Sequence, residues 1–114
     1  MINVYLDDFR RCPNGFVLAR NATECKLLID HENIDILSLD YDLGWDEPTG
    51  MEVVHHIVET KRFPKQIYLH SSSLAGRQQM YAILMKHIPD DVQLFATPMS
   101  NELINRISNH NHDN

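Results

Sequence analysis

The chain is poor in the residues that define several protein classes. Its 114 residues hold two cysteines, Cys12 and Cys25, at a spacing that matches no metal-binding pattern, so reduced thiols in a reducing compartment are expected. Basic residues are scarce, 10 Lys and Arg against 16 Asp and Glu, for a formal charge of −6. That balance disfavours broad nonspecific binding to nucleic acid, which needs Lys and Arg to displace the counterions of a phosphate backbone. No apolar run approaches the length of a membrane-crossing helix. The first residues read directly as a strand, without a signal-peptide pattern. The expected location is therefore the cytoplasm, with no membrane partner. Internal repeats and domain linkers are lacking too, and a hydrophobic content of 43% is ordinary for a globular domain. We expect one domain over residues 1–109 and a flexible tail over 110–114.

The informative residues stand at the ends of short apolar runs. Val4-Tyr5-Leu6 ends in Asp7-Asp8, Ile36-Leu37-Ser38-Leu39 ends in Asp40-Tyr41-Asp42, and Ile67-Tyr68-Leu69 ends in His70-Ser71-Ser72-Ser73. Helical patterns separate the later runs. Asn21 with Glu24 marks one helix start and Thr49 with Glu52 another. Val53, Val54, Ile57 and Val58 form an apolar stripe, and Met80, Ile83, Leu84, His87 and Ile88 recur at helical spacing before Pro89. A last strand over 92–95 and a helix carrying Leu103, Ile104 and Ile107 complete an α/β pattern. Strands alternating with helices predict a mostly parallel five-stranded sheet, whose ligands bind outside the carboxyl ends of the strands. The segment Phe16-Val17-Leu18-Ala19 is the exception. Residues 7–15 are too short for an ordinary parallel crossover, so this strand is expected to be an antiparallel edge or to pair hardly at all.

Four carboxylates at one rim suit a hard divalent cation, Mg²⁺ or Mn²⁺, held by Asp7, Asp8, Asp40 and Asp42. The bland alternative for adjacent Asp pairs is that they cap turns; for Asp42 it is a loop start. His70, at a strand end and with a pKa near working pH, is a candidate acid or base beside Asp40 and Asp8, although a lone His is often structural. Ser71, Ser72 and Ser73 precede a helix whose first amides can hold an anion, or they simply cap it. Arg77, in the first turn of that helix, opposes the helix dipole but suits a phosphate, and Arg10 and Arg20 are weaker clamps of the same kind. Tyr41 and Trp45 offer stacking surfaces for a base or cover for a core edge.

These residues carry a resemblance. Leu6-Asp7-Asp8-Phe9-Arg10, Pro13-Asn14-Gly15-Phe16, Arg20, Leu37-Ser38-Leu39-Asp40-Tyr41-Asp42-Leu43-Gly44, Thr49-Gly50, Val53-Val54, His70-Ser71, Gly76-Arg77 and Met80 resemble the cyclic-phosphate processing receiver-like domains, relatives of response-regulator receivers. The likeness spans roughly residues 2–88. It implies a flavodoxin-like, receiver-like three-layer sandwich whose first helix is missing, and a role in handling cyclic or nucleotide-linked phosphates. Three differences stand out. Thr97-Pro98 occupies the place of the Lys-Pro of signalling receivers, Tyr41 stands where the subfamily commonly has His, and Ser72-Ser73 replace an Asn-Pro. The expected function is metal-dependent phosphoesterase-like processing of a small phosphorylated ligand. The alternatives are a non-catalytic module that binds a nucleotide or a protein, and a signalling receiver phosphorylated on Asp40.

Overall fold

In the computed structural model, which describes residues 1–112 and their side chains through His110, the chain alternates five strands with four helices. In order they are β1 (Ile2–Leu6), β2 (Val17–Ala19), α1 (Ala22–His31), β3 (Ile34–Leu39), α2 (Gly50–Thr60), β4 (Gln66–Leu69), α3 (Leu74–His87), β5 (Gln93–Phe95) and α4 (Asn101–His112). The strands form one sheet in the order β2-β1-β3-β4-β5, parallel throughout.

The expectation for the second strand is corrected. β2 is a parallel edge strand, with Val4 opposite Val17 and Leu6 opposite Ala19. The crossover succeeds without a helix because the connecting loop turns through side-chain hydrogen bonds. The Asp7 carboxylate accepts from the amides of Phe9 and Arg10, each at 2.8 Å, and Phe16 N donates to Pro13 O at 3.2 Å. Asn3 Nδ2 then reaches Gly15 O at 3.4 Å and pins the loop to β1.

The sheet divides two cores. One face presents Val4, Leu6, Leu37, Leu39, Ile67 and Leu69 to Cys25 and Ile29 of α1, Val53, Val54 and Ile57 of α2, and Met80 and Leu84 of α3. Each such Leu or Ile is worth roughly 1.5–3 kcal/mol when fully buried, so this face holds most of the fold's hydrophobic stabilisation. The opposite face is thinner. Tyr5 and Ile36 pack there against Met99 and against Leu103, Ile104 and Ile107 of α4, while Cys12 and Phe16 of the β1–β2 loop pack against the same cluster.

Predicted helix starts are observed. The Asn21 side chain accepts from Glu24 N at 2.9 Å, and the Glu24 carboxylate accepts from Arg20 N at 2.8 Å, one residue before the cap. Thr49 accepts from Met51 N at 3.3 Å, and Ser73 from Gly76 N at 3.1 Å. Such caps contribute about 1 kcal/mol each. Helix α4 continues past residue 109, where a tail was expected to begin, as far as His112; residues 113 and 114 of that tail lie outside the described residues. Among the described residues no helix is long and apolar enough to cross a membrane.

Candidate metal and phosphate site

The carboxyl ends of the strands are laced together at one rim. Asp7 N donates to Ala19 O at 3.0 Å, Asp40 N to Leu6 O at 3.1 Å, and His70 N to Leu39 O at 3.0 Å. This register sets Asp7, Asp40 and His70 side by side, so that one ligand atom from each lies within 4.8 Å of the others.

Asp7 is 1% exposed, and its carboxylate is heavily hydrogen-bonded. Burial alone would raise its pKa, but the amides of Arg10 and Phe9 and the imidazole of His70 outweigh burial and hold it below the usual 3.8. Its Oδ2 meets His70 Nε2 at 2.9 Å. His70 is 4% exposed, and its Nδ1 meets Ser38 Oγ at 2.6 Å. The Tyr5 ring stacks on the imidazole with centroids 4.4 Å apart and planes 2° from parallel. Desolvation pulls the His70 pKa down from 6.5 and outweighs the upward pull of Asp7, whose carboxylate accepts the hydrogen bond that Nε2 donates. Arg10 Nη1 donates to His70 O at 2.7 Å, and its guanidinium partly offsets the rise in the Tyr5 pKa that burial and Asp7 cause.

Asp40 behaves oppositely. Burial raises its pKa above 3.8, the Ser71 hydroxyl and Tyr41 amide partly offset this, and the negative charge of Asp7 adds to the rise. Two glycines let other elements approach. A Cβ on Gly50 would overlap the Asp40 carbonyl oxygen, and one on Gly76 would overlap the Tyr41 ring. Gly50 N donates to Tyr41 O at 2.8 Å, so the start of α2 fixes the backbone directly after Asp40.

Above these groups lies an open cleft of about 240 Å³, lined by Asp7, Asp8, Phe9, Arg10, Asp40, Asp42, Gly44 and Ser72. Six of the ten predicted site residues thus meet in one place, with His70 directly beneath Asp7 and Ser71 beside Asp40. Arg20 and Arg77 are not among the lining residues. Arg20 is exposed at the end of β2, and Arg77 lines a separate hollow with Leu74, Gln78, Tyr81 and Ala96. Ser71 and Ser73 act locally: Ser71 Oγ accepts from Ser73 N at 3.1 Å, and Ser73 caps α3. Tyr41 lies over Gly76 against the main core. A hollow of about 290 Å³ at the amino ends of the strands, among Met1, Ile34, Arg62 and Phe63, contains none of the predicted site residues.

The donor set fits a hard divalent cation. Four carboxylates line the cleft against one guanidinium, and Asp40 is raised in pKa partly because a second carboxylate stands beside it. All are oxygen donors, the preference of Mg²⁺. The sequence reading missed Ser38 and Tyr5. The one signal for Ser38 was a hydroxyl between Leu37 and Leu39 in a run that otherwise reads as a buried central strand.

A parallel sheet in the order β2-β1-β3-β4-β5 with a carboxylate rim defines a receiver-like α/β domain of the flavodoxin-like type. Residues 2–86 match the model of the cyclic-phosphate processing receiver domain, and the chain belongs to that family. No curated protein and no solved structure matches the chain.

Proposed function

We propose that the cleft takes up Mg²⁺ or Mn²⁺ through Asp7 and Asp40, with Asp8 and Asp42 beside them, and processes a small cyclic or nucleotide-linked phosphate there. The observation that supports this most is the close set of Asp7 and Asp40 in a cleft with three more carboxylates than cations, four Asp against Arg10. When bound, such a cation supplies positive charge to phosphoryl oxygens and acidifies a water for attack at phosphorus. The chain's own residues orient the ligand. The two amides on Asp7 keep it ionised, Arg10, anchored through Nη1 to the His70 carbonyl, has further N–H donors at the cleft wall for a phosphoryl oxygen, and Ser72 offers a hydroxyl. Phe9, 92% exposed, and Trp45, 95% exposed, flank the cleft or its Gly44 edge and provide faces on which a base stacks. The test is turnover of 2′,3′-cyclic, 3′,5′-cyclic and dinucleotide substrates with and without Mg²⁺ or Mn²⁺. Metal-dependent product that disappears in Asp40→Asn is expected, and no product from any substrate contradicts hydrolysis.

A second reading, binding without turnover, is favoured by His70. Both its ring nitrogens are engaged below Asp7, so it is not poised to pass a proton to a ligand in the cleft. Ligand retention on the metal-loaded protein without product separates this reading from the first. Phosphorylation of Asp40 as a signalling switch is less well supported, because Thr97 stands in the place of the phosphate-binding Lys, with its carbonyl taken by Leu69 N at 3.2 Å.

A further inference from the structure

The lone pairs of Asp7 can be counted. A carboxylate offers about four acceptor sites, two on each oxygen. Oδ1 accepts from Phe9 N and Arg10 N, both at 2.8 Å, and so is full. Oδ2 accepts from His70 Nε2 at 2.9 Å and keeps one site open. Asp7 can therefore give a cation a single oxygen, in a direction fixed by where the His70 N–H points.

That direction depends on a residue away from the cleft. Asp7 only accepts, so Nε2 carries a proton toward it, and the setting of the ring depends on the partner of Nδ1. That partner is Ser38 Oγ, at 2.6 Å, and among the described residues no other hydrogen bond reaches Nδ1. Tyr5, stacked at 4.4 Å, covers one face of the ring. Ser38 itself is 0% exposed in the centre of the sheet and cannot touch a ligand. The order Ser–His–Asp is also not that of a hydrolase triad, where the serine faces Nε2 and the aspartate Nδ1. Here the connections are reversed and the serine is inaccessible.

We infer that Ser38 is a positioning residue for the cation site, holding His70 so that Asp7 presents one lone pair of Oδ2 to the cleft. The inference rests on the cation reading above. Groups that orient a metal ligand from behind typically change affinity 10–100-fold when removed. The experiment compares wild type, Ser38→Ala and Ser38→Thr, the last retaining the hydroxyl. Imidazole ¹⁵N resonances are recorded on metal-free protein, and Mn²⁺ affinity is measured by calorimetry, with circular dichroism to establish folding. The expected result has the wild-type Nδ1 hydrogen-bonded and Nε2 protonated. In Ser38→Ala the Nδ1 resonance moves to its unbonded position and Mn²⁺ binds about tenfold more weakly, while Ser38→Thr restores both. An unmoved Nδ1 resonance, or folded Ser38→Ala with wild-type affinity, overturns the inference. Wild-type protein that takes up no Mn²⁺ refutes the cation reading itself, and the imidazole resonance then still decides whether Ser38 orders His70.

Discussion

Removing the His70 ring separates a supporting group from a free catalyst. A histidine waiting to exchange protons with a ligand would carry little of the fold, and its loss would leave stability unchanged or higher. In this protein the ring is 4% exposed, stacked on Tyr5 and bonded at both nitrogens. His70→Ala leaves the Ser38 hydroxyl, wholly buried, without its partner, a cost of roughly 1–3 kcal/mol. It also takes one of three hydrogen bonds from ionised Asp7, roughly 1.5–3 kcal/mol more for a bond to a charged group. With partial relaxation the loss is about 3–5 kcal/mol, a large share of the 5–15 kcal/mol typical of such domains. His70→Gln, whose amide can still donate to Asp7, should recover about half. Urea unfolding at pH 7.5 measures all three proteins. A His70→Ala midpoint within about 0.5 kcal/mol of wild type would refute the supporting role.

Four further outcomes follow from the same geometry. The folded His70 pKa lies below the unfolded 6.5, so acid protonates the unfolded chain first and stability declines as pH falls from 6.5. Asp7, lowered from 3.8, adds a second decline below that value, while Asp40, raised above 3.8, opposes it; Asp40→Asn should therefore raise stability at pH 7 by less than about 1 kcal/mol, and thermal melts across pH should show the gain vanish in acid. Gly50→Ala drives a Cβ into the Asp40 carbonyl oxygen, which is backbone and cannot swing aside; a loss of roughly 1–3 kcal/mol or more in chemical denaturation is expected, together with loss of Mn²⁺ binding. Trp45→Ala should leave the melting temperature unchanged, because the ring is 95% exposed, while fluorescence or calorimetric titration shows weaker binding of a nucleotide than of inorganic phosphate.

Much of the fold was legible because the apolar runs are short and end abruptly. Asp7, Asp40 and His70 each follow the last residue of a strand, and parallel register alone brings such residues to one rim. Asn21, Thr49 and Ser73 cap the helices they precede, as local hydrogen bonding requires. The pairing of β2 was not legible, since crossover length argues for a helix and the substitute is an Asp7-centred turn visible only in three dimensions. The placement of Arg77 was not legible for a related reason. Its position in the first turn of α3 does not give its direction, and the helix turns it toward Tyr81 and Ala96. The buried connection from Ser38 through His70 to Asp7 depends on which face of β3 the hydroxyl takes. Alternation assigns that face only after the register Tyr5 opposite Ser38 is known.

The most direct measurement is calorimetric titration of Mn²⁺ and Mg²⁺ into the wild-type protein and Asp40→Asn. The account predicts one saturable site per chain in the wild type and none in the folded variant. Equal binding to both, or no binding to either, would contradict a cation site between Asp7 and Asp40.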